Sequence, residues 1–207
     1  MIIFNIIKNE YPMSMLHLKL ETDPRWAQLA EDNIEEILTD HAWCEQKACS
    51  NAITIITHNS QYPDLVTDLL ELAKEELEHF QMVHDIIKKR GYTLGRERKD
   101  SYVNELYKFM NKGGSHLQSM VDRLLFSAMI EARSCERFKL LSQRIKDKEL
   151  SQFYYDLMVS EAGHYTTFIG FARKYGQDID VDKRWQELVD FEGEVIKSYG
   201  KSESIHG

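Results

Sequence analysis

Lys74-Glu75-Glu76-Leu77-Glu78-His79 is the stretch that decides the fold. Its Glu76-x-x-His79 spacing returns as Glu161-Ala162-Gly163-His164, each time inside a long helical pattern. Residues three apart share a helix face, so each pair can aim a carboxylate and an imidazole at one point. A bundle that holds two metal ions needs two such pairs, plus a lone Glu from each of two other helices. Ala42-Trp43-Cys44-Glu45-Gln46-Lys47-Ala48-Cys49 and Ala128-Met129-Ile130-Glu131-Ala132-Arg133-Ser134-Cys135 share an A-x-x-E-x-x-x-C frame and supply those residues. Glu45 precedes Glu76 by 31 residues, and Glu131 precedes Glu161 by 30. The chain therefore reads as two approximately repeated helical hairpins carrying one dinuclear site. A single Glu-x-x-His would be an ordinary pair of helix-surface residues; two copies at matched distances from a Glu in a shared frame are not.

The bulk numbers suit this reading. At 207 residues and 43% hydrophobic content the chain can bury one sizeable core. Three prolines and ten glycines favour long helices over a turn-rich β fold. Cys44, Cys49 and Cys135 have neither zinc-finger spacing nor a disulfide framework, and fit a reducing, cytoplasmic compartment with burial near the core. No apolar run is long enough to cross a bilayer, and the apolar start at residues 1–7 lacks the basic region and cleavage site of a signal peptide. The formal charge of -8 argues against a broad nucleic-acid-binding surface. A local one is possible at Lys88, Lys89, Arg90, Arg96, Arg98 and Lys99, which could be a phosphate-contacting edge or simply solvated helix-end charge.

Periodicity places the elements. Residues 1–23 read as an irregular lead-in, residues 24–199 as a single domain and residues 200–207 as a flexible tail. Thr22 or Asp23 before Pro24 suits a helix start, with a short helix over 25–33. Main helices are expected over 35–58, 64–90, 115–145 and 148–175, with Glu45, Glu76, His79, Glu131, Glu161 and His164 on their inward stripes. A long crossover over 91–114 contains a short helix over 101–110, and a last helix over 182–199 packs outside the bundle. Gly91 ends the second main helix, and Gly163 suits a close backbone approach beside His164. Glu136 is the rival to Glu131, but five residues turn it about 140° around the helix. It and Arg133 are expected at an entrance, in a surface ion pair, or in contact with a metal ligand. Glu75 and Glu78 fall off their stripe and take surface or ligand-supporting roles, while Tyr154 and Tyr165 are packing neighbours.

Four carboxylates in a low-dielectric core repel one another unless protonated or countered by cations. Two divalent metals balance four ionised glutamates, and neutral imidazoles complete the ligand set. Oxygen-rich donors favour iron or manganese over a thiophilic metal, without separating the two. Oxygen-dependent hydroxylation, ferroxidase or storage activity, peroxide chemistry and radical generation all remain open on these residues alone.

The chain also closely resembles the tRNA 2-methylthio-N6-isopentenyl-adenosine hydroxylase family over most of residues 24–198. The resemblance is carried by residues 40–48 (DHAWCEQKA), 71–80 (ELAKEELEHF), 130–138 (IEARSCERF) and 160–165 (SEAGHY). It implies an all-α, ferritin-like four-helix bundle with peripheral helices, and a non-haem di-iron centre held by Glu45, Glu76, His79, Glu131, Glu161 and His164. It further implies O2-dependent hydroxylation of the isopentenyl group on the modified adenosine at tRNA position 37, with electrons from an external reductase. The tRNA partner makes the 88–99 basic run the expected RNA contact, with Arg133 and Arg137 as further contributors. One chain supplies every ligand, so a monomer is expected. A ferritin-like small-molecule oxidase, ferroxidase or peroxidase, and a non-catalytic RNA-binding bundle with structural metals, are the alternatives.

Overall fold

The computed structural model of the chain describes residues 16, 18–110, 113–198 and 204–206. The described residues form helices α1 (Arg25–Asp32), α2 (Ile34–His58), α3 (Pro63–Lys89), α4 (Ser101–Leu106), α5 (His116–Arg144), α6 (Lys148–Tyr175) and α7 (Val181–Ile196), with a 3-10 turn at Tyr107–Phe109. Helices α2 and α3 pair as one hairpin and α5 and α6 as another, as the repeated spacing predicts.

Local chemistry sets the helix ends. Pro63 opens α3, where its missing N–H costs nothing. Gly91, at φ 73°, adopts the left-handed conformation that closes it. Ser115 and Gln118 form a reciprocal capping box on α5, and the Asp147 carboxylate accepts the Glu149 and Leu150 N–H groups to cap α6. Asp100 caps α4 by accepting the Val103 N–H. Of the two expected start residues, Asp23 accepts the Arg25 N–H at the head of α1, while Thr22 turns away to Glu136.

The apolar interior falls into two clusters. Leu65, Leu69, Leu124, Met129 and Phe168 belong to one; Leu38, Val83, Phe138, Leu141 and Leu157 belong to the other. The six predicted ligand positions lie between these groups along every main helix, so a polar layer divides the core.

Helix α5 is the most enclosed element. From Leu124 to Phe138 nearly every side chain is buried, because α6, α1, α2 and α7 all pack against it. Arg133 and Arg137 are therefore 0% exposed. Arg133 donates to Glu192 at 2.7 and 3.0 Å, to Glu136 at 3.0 Å and to the Leu20 carbonyl at 3.0 Å. Tyr102 donates to the same Glu192 carboxylate. Arg137 stacks 4.5 Å from the Trp26 ring and donates to the Ser204 and Ile205 carbonyls. Enclosed in the fold, Arg133 lines no entrance and joins no surface ion pair, and its partners Glu136, Glu192, Thr22 and Leu20 are not among the six predicted ligands. As RNA contacts, Arg133 and Arg137 are corrected for the same reason.

Two further expectations change. Residues 204–206 do not fray: Ile205 and His206 are buried, and the Ile205 N–H donates to Asp40. A Cβ at Gly163 would meet no neighbouring atom, so close approach is not why glycine stands there. Helix α7 packs outside the four main helices as expected, and its Glu192 is wholly buried against Arg133. No helix among the described residues is long and apolar enough to cross a membrane.

Removing one member of a buried ion network leaves the others uncompensated. Arg133→Ala is expected to cost about 3–5 kcal/mol of unfolding free energy. Arg144→Ala, at an exposed position of the same helix, should stay within about 0.5 kcal/mol. Denaturant titrations of both variants check the contrast.

Candidate metal centre

Each of the four main helices delivers its predicted residues to the polar layer. Glu45 comes from α2, Glu76 and His79 from α3, Glu131 from α5, and Glu161 and His164 from α6. All six are buried, from Glu76 at 0% exposure to His79 at 8%. Their donor atoms form two interlocked groups: Glu45, Glu76, His79 and Glu161 in one, and Glu76, Glu131, Glu161 and His164 in the other.

Glu76 and Glu161 belong to both groups, and each splits its oxygens between them. Glu76 Oε1 lies 2.9 Å from His164 Nδ1, and its Oε2 lies 3.7 Å from His79 Nδ1. Glu161 Oε1 lies 3.7 Å from His79 Nδ1, and its Oε2 lies 3.4 Å from His164 Nδ1. Glu45 approaches the His79 side, with Oε2 at 3.8 Å from Nδ1. The arrangement is two-fold in character, as two repeated hairpins facing each other require.

The electrostatics explain what this layer lacks without cations. Burial drives Glu76 up to about 7, against the pull of His164 and His79. Burial also raises Glu131 well above the usual carboxylate range, and Glu161 in the same direction. For His79 burial acts downward, but Glu45 and Glu76 outweigh it and carry the imidazole up to about 10. His164 is raised in the same way by Glu161 and Glu76. Burial likewise acts to raise Glu45, yet His41 and His79 hold it well below its ordinary value. The carboxylates of the layer thus favour positive charge beside them.

The donor set fits a pair of cations on a separate observation. Both oxygens of Glu76, Oε1 of Glu161, and Nδ1 of His79 and His164 are buried without a hydrogen bond among the described residues. Even the 2.9 Å approach of Glu76 and His164 lacks hydrogen-bond alignment. Unsatisfied buried polar atoms are costly, and here they converge on two points. Glu45, Glu76, His79, Glu131, Glu161 and His164 would together hold two divalent ions there, Glu76 and Glu161 being common to both donor groups.

Supporting residues were only partly anticipated. Glu75, assigned by its phase to a surface or supporting role, accepts from His164 Nε2 at 2.9 Å across the α3–α6 gap. That bond fixes the ring so that Nδ1 faces inward. His41 carries no site role in the sequence reading, yet its Nε2 lies 2.5 Å from Glu45 Oε1. Its signal was its place four residues before Glu45 on the same stripe. Tyr154 stacks on His41 with ring centroids 5.6 Å apart, and Tyr165 packs beside Trp185. Glu136 accepts from Arg133 and Thr22 and takes no part in either donor group, so the phase argument against it holds.

The basic run divides. Lys89 pairs with Glu149 and Arg90 with Asp147, while Lys88 lies 4.0 Å from Asp85. Arg98 donates to the Glu36 carbonyl. Arg96 and Lys99 are exposed on the segment leading to α4.

Fold and site together define a ferritin-like bundle with a buried carboxylate–histidine layer suited to two metal ions. The profile of the tRNA-(MS[2]IO[6]A)-hydroxylase (MiaE) family matches residues 10–207, and the chain belongs to that family. A Pseudomonas putida tRNA 2-(methylsulfanyl)-N(6)-isopentenyladenosine(37) hydroxylase is 34% identical, over 89% of each chain. The Salmonella typhimurium protein of the same name is 26% identical, over 98% of this chain and 93% of its own. Among solved structures, "Protein 43 with aldehyde deformylating oxygenase activity from Synechococcus" superposes with a TM-score of 0.84 at 32% identity, covering 92% of this chain and 95% of that one.

Anaerobic iron loading followed by metal analysis tests the shared ligands. The unaltered chain should hold roughly two ions, Glu45→Ala or Glu131→Ala roughly one, and Glu76→Ala or Glu161→Ala much less than one. Glu136→Ala should load fully; iron loss confined to that variant would reverse the assignment.

Proposed function

We propose that this chain hydroxylates the isopentenyl group of 2-(methylsulfanyl)-N6-isopentenyladenosine at position 37 of tRNA, using a di-iron centre held by Glu45, Glu76, His79, Glu131, Glu161 and His164. The observation that carries this reading is the pair of interlocked donor groups sharing Glu76 and Glu161, in a chain belonging to a tRNA hydroxylase family. Two iron ions bound there would supply the reductive activation of O2 that insertion into a C–H bond requires. The overall balance takes one O2, two electrons and two protons, and gives one hydroxyl group and one water. The electrons come from an external reductase, since no side chain of the layer is a two-electron donor.

The side chains perform the positioning. His41 and Glu75 orient Glu45 and His164 from outside the layer, and the aromatic packing of His41 against Phe138 and Tyr154 keeps that support rigid. Apolar clusters on both sides exclude water from the reacting carbon. A layer this enclosed suits a slender alkyl arm reaching inward while the nucleobase stays outside. A base of the anticodon loop can be displaced for such presentation. Arg96 and Lys99, with Lys88 and Lys89 nearby in sequence, are the exposed cations proposed to meet the loop's phosphates. One chain supplies all six ligands, so a monomer suffices, and tRNA places the reaction in the cytoplasm.

The activity in the name of the Synechococcus neighbour favours one second reading, an oxygenase that removes the formyl group of an aldehyde. Iron-loaded protein supplied with a reducing system and 18O2 separates the two. Isopentenylated tRNA should yield a hydroxylated nucleoside carrying one 18O atom, and a long-chain aldehyde should remain unchanged. Iron oxidation with neither product would favour ferroxidase activity instead.

Arg96→Glu combined with Lys99→Glu should weaken tRNA binding and flatten its salt dependence, leaving iron content unchanged. Normal hydroxylation of modified tRNA by that variant would remove these residues from the interface.

A further inference from the structure

A second convergence of metal-binding side chains lies outside the four-helix layer. Cys44 of α2, Asp100 at the start of α4 and His206 each place one donor atom within 4.8 Å of the others. Cys44 Sγ is 3.7 Å from His206 Nδ1, which is 3.0 Å from Asp100 Oδ2. Cys44 directly precedes Glu45, but neighbouring helix positions differ by about 100°, so its thiol serves a different face of α2.

The surroundings are built around these atoms. Asp100 spends Oδ1 on the Val103 N–H, leaving Oδ2 toward the histidine. His206 is buried, its ring stacked on Tyr102 with centroids 5.8 Å apart. Its other nitrogen, Nε2, lies 3.0 Å from Ser134 Oγ, the kind of outer bond that fixes a metal-binding imidazole. Arg137 and Asp40 anchor the preceding backbone at residues 204 and 205. Asp40 Oδ2 is also 3.9 Å from Cys44 Sγ, at the edge of the group.

These spacings suit a tetrahedral ion. Zinc bonds of about 2.3 Å to sulfur and about 2.0 Å to nitrogen or oxygen set S···N near ~3.6 Å and N···O near ~3.3 Å. A thiolate, an imidazole and a carboxylate also select a softer metal than the oxygen-rich layer does.

We propose that Cys44, Asp100 and His206 bind a zinc ion, with water or Asp40 in the fourth position, and that this ion clips the segment before α4 and residues 204–206 onto α2. The site is independent of the proposed tRNA chemistry. It joins three stretches far apart in the chain, so its binding free energy is also folding free energy.

Cobalt(II) titrated into the metal-free full-length protein tests the site directly. A cobalt–thiolate bond gives a near-ultraviolet charge-transfer band, whereas the glutamate–histidine layer offers no sulfur donor. The unaltered chain should develop that band to saturation, and zinc should abolish it. Cys44→Ser should lack it, His206→Ala should bind cobalt at least about tenfold more weakly by the same band, and Ser134→Ala should weaken it about tenfold. Cys49→Ser and Cys135→Ser should retain it in full. Absence of the band in the unaltered chain, or its persistence in Cys44→Ser, would reduce the group to a hydrogen-bonded latch. Should Cys44→Ser fail to fold, unchanged cobalt affinity in His206→Ala would overturn the proposal equally.

Discussion

Four glutamates share one layer of an otherwise apolar interior, and their mutual repulsion is the constraint that the rest of the structure answers. Ionised carboxylates taken out of water cost several kcal/mol each unless charge of the opposite sign lies beside them. The neighbouring carboxylates push His79 and His164 upward, toward the charged imidazolium. Two cations would provide that opposite charge, and would use the donor atoms that now lack hydrogen bonds.

Symmetry follows from the same requirement. Each hairpin brings one lone glutamate and one Glu-x-x-His pair, and two such units facing each other produce two equivalent pockets with a shared wall. The sharing falls to Glu76 and Glu161 because they sit on the inner helix turns closest to the opposing hairpin's histidine. A second charge problem, around Arg133, is solved by a different method. Its guanidinium donates to Glu136, Glu192 and the Leu20 carbonyl. A guanidinium whose three nitrogens are all hydrogen-bonded contrasts with a layer in which five buried donor atoms of four residues have no hydrogen bond among the described residues.

Much of this was legible in the sequence, for identifiable reasons. Helical phase placed all six layer residues and rejected Glu136, because side-chain direction along one helix depends on numbers that spacing supplies. Helix limits came within a few residues, helped by Pro63, Gly91 and Asp147. Contacts between distant segments were not legible. Nothing local shows that Arg133 and Arg137 are enclosed, since their cover comes from α7, α1 and residues 204–205. A charged residue on an amphipathic helix reads as solvated unless its neighbour across space is known. Residues 204–206 misled for the same reason: a short polar stretch carries no periodicity, and its burial depends on Arg137, Asp40 and Ser134.

The Asp40–Ile205 bond joins positions 165 residues apart. During vectorial synthesis α2 is therefore made long before the segment that finally covers one side of it. A nascent chain can pair α2 with α3 early, since that hairpin is local, but this flank of α2 stays bare until translation has passed Ile205. Transient shielding of that flank, whether by solvent-tolerant side chains such as Asp40 or by a chaperone, is a burden that the order of the elements places on the folding chain.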